Sequence, residues 1–273
     1  MRRDAILLAG LGLVAASLVA AQTHSPSRSV YLEDLTWPEV RDAILAGKTT
    51  AIIYAGSTEQ NGPHMVLGKH NFIAYYAAGQ IAQTLGDALV YPTLPFAPAG
   101  DPATKTGHMR FPGTVSLTPE VFSAVLRQVA QSALAAGFKQ VYLMGDHGGG
   151  QDDLRRTAAE VDAQQGGRGA HVYYVPDLYF KEKEQMRAYL VAHGIARDAH
   201  AGTDDTSELM FLDSAERWIR RDQLAASDST QQPLTGVDGD PTAATPALGR
   251  MFLDWKVRDA VEQIRRLRAG QPH

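Results

Sequence analysis

"TTAIIYAGSTEQNGPHMVLGKHN", residues 49–71, joins two unlike halves. The first, "TTAIIYAG" (49–56), is a short apolar, β-branched run closed by glycine, the pattern of a strand buried on both faces. The second sets Glu59, Asn61, His64 and His70 around a Gly-Pro turn. A strand buried on both faces belongs to a parallel sheet covered by helices. In such sheets the loops leaving the carboxyl ends of the strands gather on one edge and build the ligand crevice.

The rest of the chain repeats the first half of that pattern. Further strands are expected in "ALVYPTL" (88–94), "KQVYLMGD" (139–146) and "AHVYYVPD" (170–177). Helical spacing marks 37–46, 72–85, 119–136, 151–164, 180–193, 204–213 and 246–268. Alternating strands and helices predict an α/β fold with a mostly parallel sheet. In the last helix Leu248, Phe252, Trp255, Val261 and Ile264 recur at near-helical spacing, which reads as core packing. Two Gly/Pro-rich segments, 92–117 and 227–246, are long for a compact domain; an active-site role is expected for the first.

At 273 residues, 44% hydrophobic and 21% charged, the chain has material for one large core and too little charge for disorder. Its net charge of −4, with both signs interspersed, lacks the basic footprint of a nucleic-acid binder. There is no cysteine, so a metal site must draw on His, Asp and Glu. "MRRD" followed by an apolar stretch and small residues at Val19 and Ala21 reads as an export signal over 1–21, cleaved before Gln22. The stretch is shorter than the roughly 20 residues a spanning helix needs. Arg2-Arg3 also fits a twin-arginine route. A single domain over 22–273 in the periplasm or outside the cell is therefore expected.

Three groups carry the chemistry. Glu59, Asn61, His64 and His70 follow the first strand, and Asp146 and His147 follow the third, so the two loops converge as a metal site requires. "GDHGGG" leads into a helix, where glycines let a ligand approach the backbone and the helix start offers N–H groups. In "DAHAGTDDTSELMFLD" (198–213) His200 and Asp205 lie at a Gly-containing turn that opens a helix, which Asp204 or Asp205 can cap. His24, His171, His193 and His273 have no companions and are given no role.

Taken in order, "GSTEQNGPH", "FPGTVSL", "DHGGG", "HAGTDDTS" and "GVDGDPTAATPALGR" resemble the creatininase (creatinine amidohydrolase) family, from about Trp37 to Ile264. The resemblance implies a three-layer α/β/α sandwich, commonly assembled as a hexamer, that hydrolyses a C–N bond of a cyclic or linear amide with divalent metals. Where members show "EQHGPHLPLxTD", this chain has "EQNGPHMVLGKH". Glu59 then matches a ligand, Asn61 replaces a histidine ligand, and His70 stands for the bridging aspartate. His147 matches a histidine ligand, and Gly149 takes the place of a glutamate ligand. Asp205 stands for the glutamate of "ETS", and His200 matches the histidine linked to proton transfer.

A neutral imidazole has one free lone pair and cannot bridge two ions. The expectation is therefore one metal, zinc with manganese or iron as alternatives, held by Glu59, His70 and His147, with Asp205 as a fourth ligand or a residue that orients the attacking water. His200 is expected to move the proton, Gly148 and Gly149 to offer N–H groups to the oxyanion, and His108 to contact substrate. The substrate is an amide other than creatinine. The alternatives are a lactone or ester hydrolase, a metal-dependent isomerase, or a non-catalytic periplasmic binding or scaffold protein on the same fold.

Overall fold

The structure, a computed structural model, describes residues 29–165, 167–195 and 199–270. The export segment over 1–21, His24 and His273 lie outside the described residues. Among the latter, four strands form one parallel sheet: β1 (Thr50–Ala55), β2 (Ala88–Val90), β3 (Gln140–Gly145) and β4 (His171–Tyr174), in the order β2-β1-β3-β4. β1 and β3 pair over their full lengths, from Thr50↔Gln140 to Ala55↔Gly145.

Helices fill both faces: α1 (Trp37–Leu45), α2 (Lys69–Leu85), α3 (Pro119–Ala136), α4 (Gln151–Gln165), α5 (Phe180–Ala192), α6 (Thr203–Leu212), the one-turn α7 (Gln232–Thr235) and α8 (Pro246–Arg268). Successive strand side chains point to opposite faces, and the cores divide accordingly. Ile52, Tyr54, Tyr142 and Met144 pack against Ala74, Ala78 and Ile81 of α2 and Ala260 and Ile264 of α8. Ala51, Ile53, Val141 and Leu143 pack against Phe122, Leu126 and Ala130 of α3 and Leu154 and Val161 of α4. This is the three-layer α/β/α sandwich, and every described strand pair in its sheet is parallel.

Element ends follow local chemistry. α3 begins at Pro119 after Thr118, whose side chain accepts from Val121 N–H, and ends at Gly137 with φ of 107°. α8 is capped in the same way by Thr245 on Leu248 N–H; in it Phe252, Val261 and Ile264 are buried while Leu248 and Trp255 lie half-buried against the cluster around Phe252. α2 differs from expectation by starting at Lys69, three residues early. Its N-cap is Gly68, which has no side chain to mark a start.

Candidate metal and active site

The β1–β3 ladder fixes the site. Asp146 N–H donates to the Ala55 carbonyl oxygen at 2.9 Å, so the two loops leave the sheet side by side. Glu59 and His147 then meet, with Glu59 Oε2 2.7 Å from His147 Nε2. His70, on the first turn of α2, places Nε2 3.1 Å from Glu59 Oε1. His108, on the long 92–117 loop, brings Nε2 to 3.9 Å from the same oxygen. The four side chains border a cavity of about 460 Å³, closed further by Tyr179, Lys183, His200 and Asp205.

Glu59 is fully buried. Burial would raise its carboxyl, but His147 and His70 hold it well below the usual carboxylate range. Burial and Lys69 act to lower His70, yet its hydrogen bonds to Asp146 and Glu59 prevail and raise its pKa. Asp146 is buried and lowered too: burial opposes this, and the Lys256 ammonium at 3.1 Å and His70 outweigh it. Lys256 also lies 3.5 Å from Glu182 and 3.7 Å from Glu208, so a buried cation behind the site balances a group of buried carboxylates.

The proton positions decide which nitrogens can ligate. His70 Nδ1 is 2.7 Å from Asp146 Oδ2, an acceptor, so Nδ1 carries the proton and Nε2 is left to meet Glu59 and a metal. His147 Nδ1 lies 3.2 Å from the Gly149 carbonyl oxygen and 3.1 Å from Gly149 N–H, an acceptor and a donor at near-equal reach, so this contact stabilises either tautomer. His108 is held the opposite way to His70. Gln60 Oε1 accepts from Gly62 N–H at 2.9 Å, so Gln60 Nε2 faces His108 Nδ1 at 2.9 Å and donates to it. The proton of His108 then sits on Nε2, which points at Glu59 and the cavity.

Proximity and proton placement thus rank the histidines differently. Among the described residues, Glu59, His108 and His147 are the three whose ligand atoms all lie within 4.8 Å of one another. Proton placement favours Glu59, His70 and His147. It decides between His70 and His108: Asp146 holds a proton on His70 Nδ1, whereas Gln60 leaves the proton of His108 on Nε2.

Two expectations need correction. Asp205, read as a fourth ligand, has both oxygens engaged: Oδ1 lies 2.8 Å from Lys69 Nζ, and Oδ2 accepts from Ala201 N–H at 2.8 Å. A carboxylate already paired with an ammonium and a backbone N–H has little left for a metal. Gly149 N–H, read as an oxyanion donor, is turned onto His147 Nδ1 at 3.1 Å. Gly148 and Gly149 both border the cavity, and a Cβ at Gly149 would lie 2.0 Å from the Pro98 carbonyl oxygen. A glutamate has no room there without displacing the long loop. Asn61 is turned onto the backbone, donating to the Glu59 carbonyl oxygen at 2.9 Å. His64, fully buried, pairs with Thr206 Oγ1 of α6 at 3.0 Å and serves packing.

His200 borders the cavity with Nε2 3.0 Å from Gln60 Nε2 and 3.1 Å from the Gln60 carbonyl oxygen. Burial, then Lys69, lowers its pKa to about 3. A donor and an acceptor at equal reach of one nitrogen stabilise either tautomer, so a proton can enter at one ring nitrogen and leave from the other. Sequence reasoning missed Gln60, Lys69, Tyr179 and Lys183. A lysine in the first turn of a helix, against the macrodipole, was a usable signal for Lys69. The second Gly/Pro-rich segment also contributes, placing Ser229, Gln232 and Asp238 on the cavity wall.

Residues 33–264 match the family model for creatinine amidohydrolase. A mycofactocin precursor peptide peptidase of Mycobacterium tuberculosis is 29% identical over 242 residues, covering 79% of this chain and 84% of that protein. A creatinine amidohydrolase of Pseudomonas putida is 27% identical over 121 residues, covering 44% of this chain and 46% of its own. A crystal structure of creatinine amidohydrolase superposes with a TM-score of 0.73 at 19% identity, covering 87% of this chain and 97% of that one. Creatininase structures with manganese and in a Zn–Zn form share the fold. The chain belongs to the creatininase family of metal-dependent amidohydrolases.

Proposed function

We propose that this chain is an exported hydrolase of an amide-like C–N bond that works with one divalent metal held by Glu59, His70 and His147. One observation carries the reading. His147 Nε2 and His70 Nε2 face the Glu59 carboxylate at 2.7 and 3.1 Å, and Asp146, by holding a proton on His70 Nδ1, leaves that Nε2 as the nitrogen for a metal. Two neutral nitrogens and one ionised carboxylate, with hydrogen bonds behind them, suit zinc or manganese. A second ion lacks donors, since Asn61 does not border the cavity, Gly149 is sterically closed and His70 cannot bridge.

Bound there, a divalent ion supplies a water of near-neutral pKa and polarises the substrate carbonyl. Glu59, held ionised, keeps the donor set charged. His200, on the cavity wall, passes a proton from the attacking water to the leaving nitrogen. His108 presents Nε2–H to the substrate. The longer match to peptide peptidases than to creatinine amidohydrolase favours a linear, peptide-like amide over creatinine.

Elemental analysis after exhaustive dialysis, repeated at saturating metal, should give close to one equivalent per chain. Glu59→Ala, His70→Ala and His147→Ala should each abolish it. Two equivalents surviving dialysis, or metal kept in His70→Ala, overturns the single-ion reading. Peptides, cyclic and linear amides, lactones and esters are then offered to the loaded protein. Turnover of lactones or esters alone moves the reaction class, and turnover of none favours a binding protein.

Export and assembly belong to the same proposal. Expressed with its own N-terminus in a Gram-negative host, the protein should reach the periplasm as a chain starting near Gln22. Retention of the full-length chain in the membrane refutes cleavage. Trp37 and Leu45 of α1 are 75% and 79% exposed, which supports a homo-oligomer, a hexamer by resemblance, to be read by analytical ultracentrifugation.

A further inference from the structure

Lys69 is fully buried and borders the cavity, yet neither the metal set nor the proton-transfer residue uses it. It opens α2, where a cation opposes the helix macrodipole, and burying an ammonium is itself costly. A residue placed at this double disadvantage needs compensation, and Asp205 Oδ1 at 2.8 Å provides part of it. An ammonium has three N–H groups. Apart from that ion pair, Lys69 Nζ has no well-formed hydrogen bond to any described residue. It lines the same cavity as His70, His108 and His200.

We propose that Lys69 is a further catalytic residue, whose ammonium donates to the carbonyl oxygen of the scissile amide as that oxygen gains charge, with Asp205 as its anchor. This rests on the amide-hydrolase reading above. Water oxygen bonds to the carbonyl carbon and the π pair moves onto the carbonyl oxygen facing Lys69 Nζ; that pair then returns, the C–N bond breaks with its electrons on nitrogen, and the water proton reaches that nitrogen through His200. Lys69 itself forms no covalent bond. The role suits its pairing: an ammonium already balanced by Asp205 is better matched to charge that develops during reaction than to a standing carboxylate on the substrate. It also fills the gap left by Gly149, whose N–H is turned onto His147. Lys183, the other lysine at the cavity, is only half-buried and lies 5.4 Å from the Tyr179 ring centroid, so it is placed at the rim.

The test compares metal-loaded wild type with Lys69→Met on an amide that the wild type cleaves. Loss of one oxyanion donor should lower kcat about 10²–10³-fold, with KM within threefold and metal content unchanged. A kcat within threefold of wild type, or loss of metal, shows a structural ion pair and overturns the proposal. A second arm needs neither turnover nor the variant. In metal-loaded wild type carrying ¹⁵N-lysine, methylphosphonate, a tetrahedral oxyanion, should shift the Lys69 ammonium resonance. Its absence at saturating probe overturns the role even if the variant fails to fold. A shift seen in a protein that hydrolyses no amide keeps Lys69 as an oxyanion donor and rejects the reaction class instead.

Discussion

His70 Nδ1 and Asp146 Oδ2 stand 2.7 Å apart, with the carboxylate itself fixed from behind by Lys256. That contact sets which face of the His70 ring is basic. Asp146→Asn should therefore weaken metal affinity by about 10–100-fold without emptying the site at saturating metal. Competition with a calibrated chelator measures it, and an unchanged affinity removes Asp146 from the support of His70.

His108 separates the two possible ligand sets. If Gln60 keeps the proton of His108 on Nε2, His108→Ala retains one equivalent of metal while KM rises, on the order of tenfold for one lost hydrogen bond to substrate. Loss of the metal in that variant would instead make Glu59, His108 and His147 the centre.

For His200 the expectation is kinetic. His200→Asn should keep fold and metal and lose roughly 10²–10⁴ in kcat, the usual share of a proton-transfer group. Metal loss on this substitution reassigns His200 as a ligand.

His64 predicts a stability effect with a definite sign. Burial lowers its pKa to about 4, whereas the unfolded chain has its imidazole near 6.5. Below 6.5 the unfolded chain takes a proton that the folded one refuses, so stability falls as pH drops from 6.5 to about 4, by roughly 3 kcal/mol at most. His70 is common to wild type and variant and drops out of the comparison. Urea unfolding at pH 7 and 4.5 should show a smaller acid loss in His64→Gln than in wild type; an equal loss refutes the assignment.

The sandwich was readable because its signals are local. Thr118-Pro119 and Gly137 bracket α3 by capping and turn chemistry that the sequence carries outright. Glu59 and His147 were readable as neighbours because each follows a strand of one parallel sheet, and such strands end at one edge. The pairing of Lys69 with Asp205 was not, since it depends on how the starts of α2 and α6 are set against each other over a long sequence separation. Gln60 was missed for a different reason. Its effect lies in which way an amide faces, and that is fixed by Gly62 N–H and by rings contributed from distant loops.

The ladder from Thr50↔Gln140 to Ala55↔Gly145 also acts as a ruler for evolution. A slip of one residue would move one loop by about 3.3 Å and turn every side chain of the strand to the opposite face, so Glu59 and His147 meet only within the register of the sheet. The 92–117 and 227–246 segments, which supply other walls of the cavity, lie outside the β1–β3 ladder. The substrate face can then change through these two straps, while the ladder keeps Glu59 beside His147.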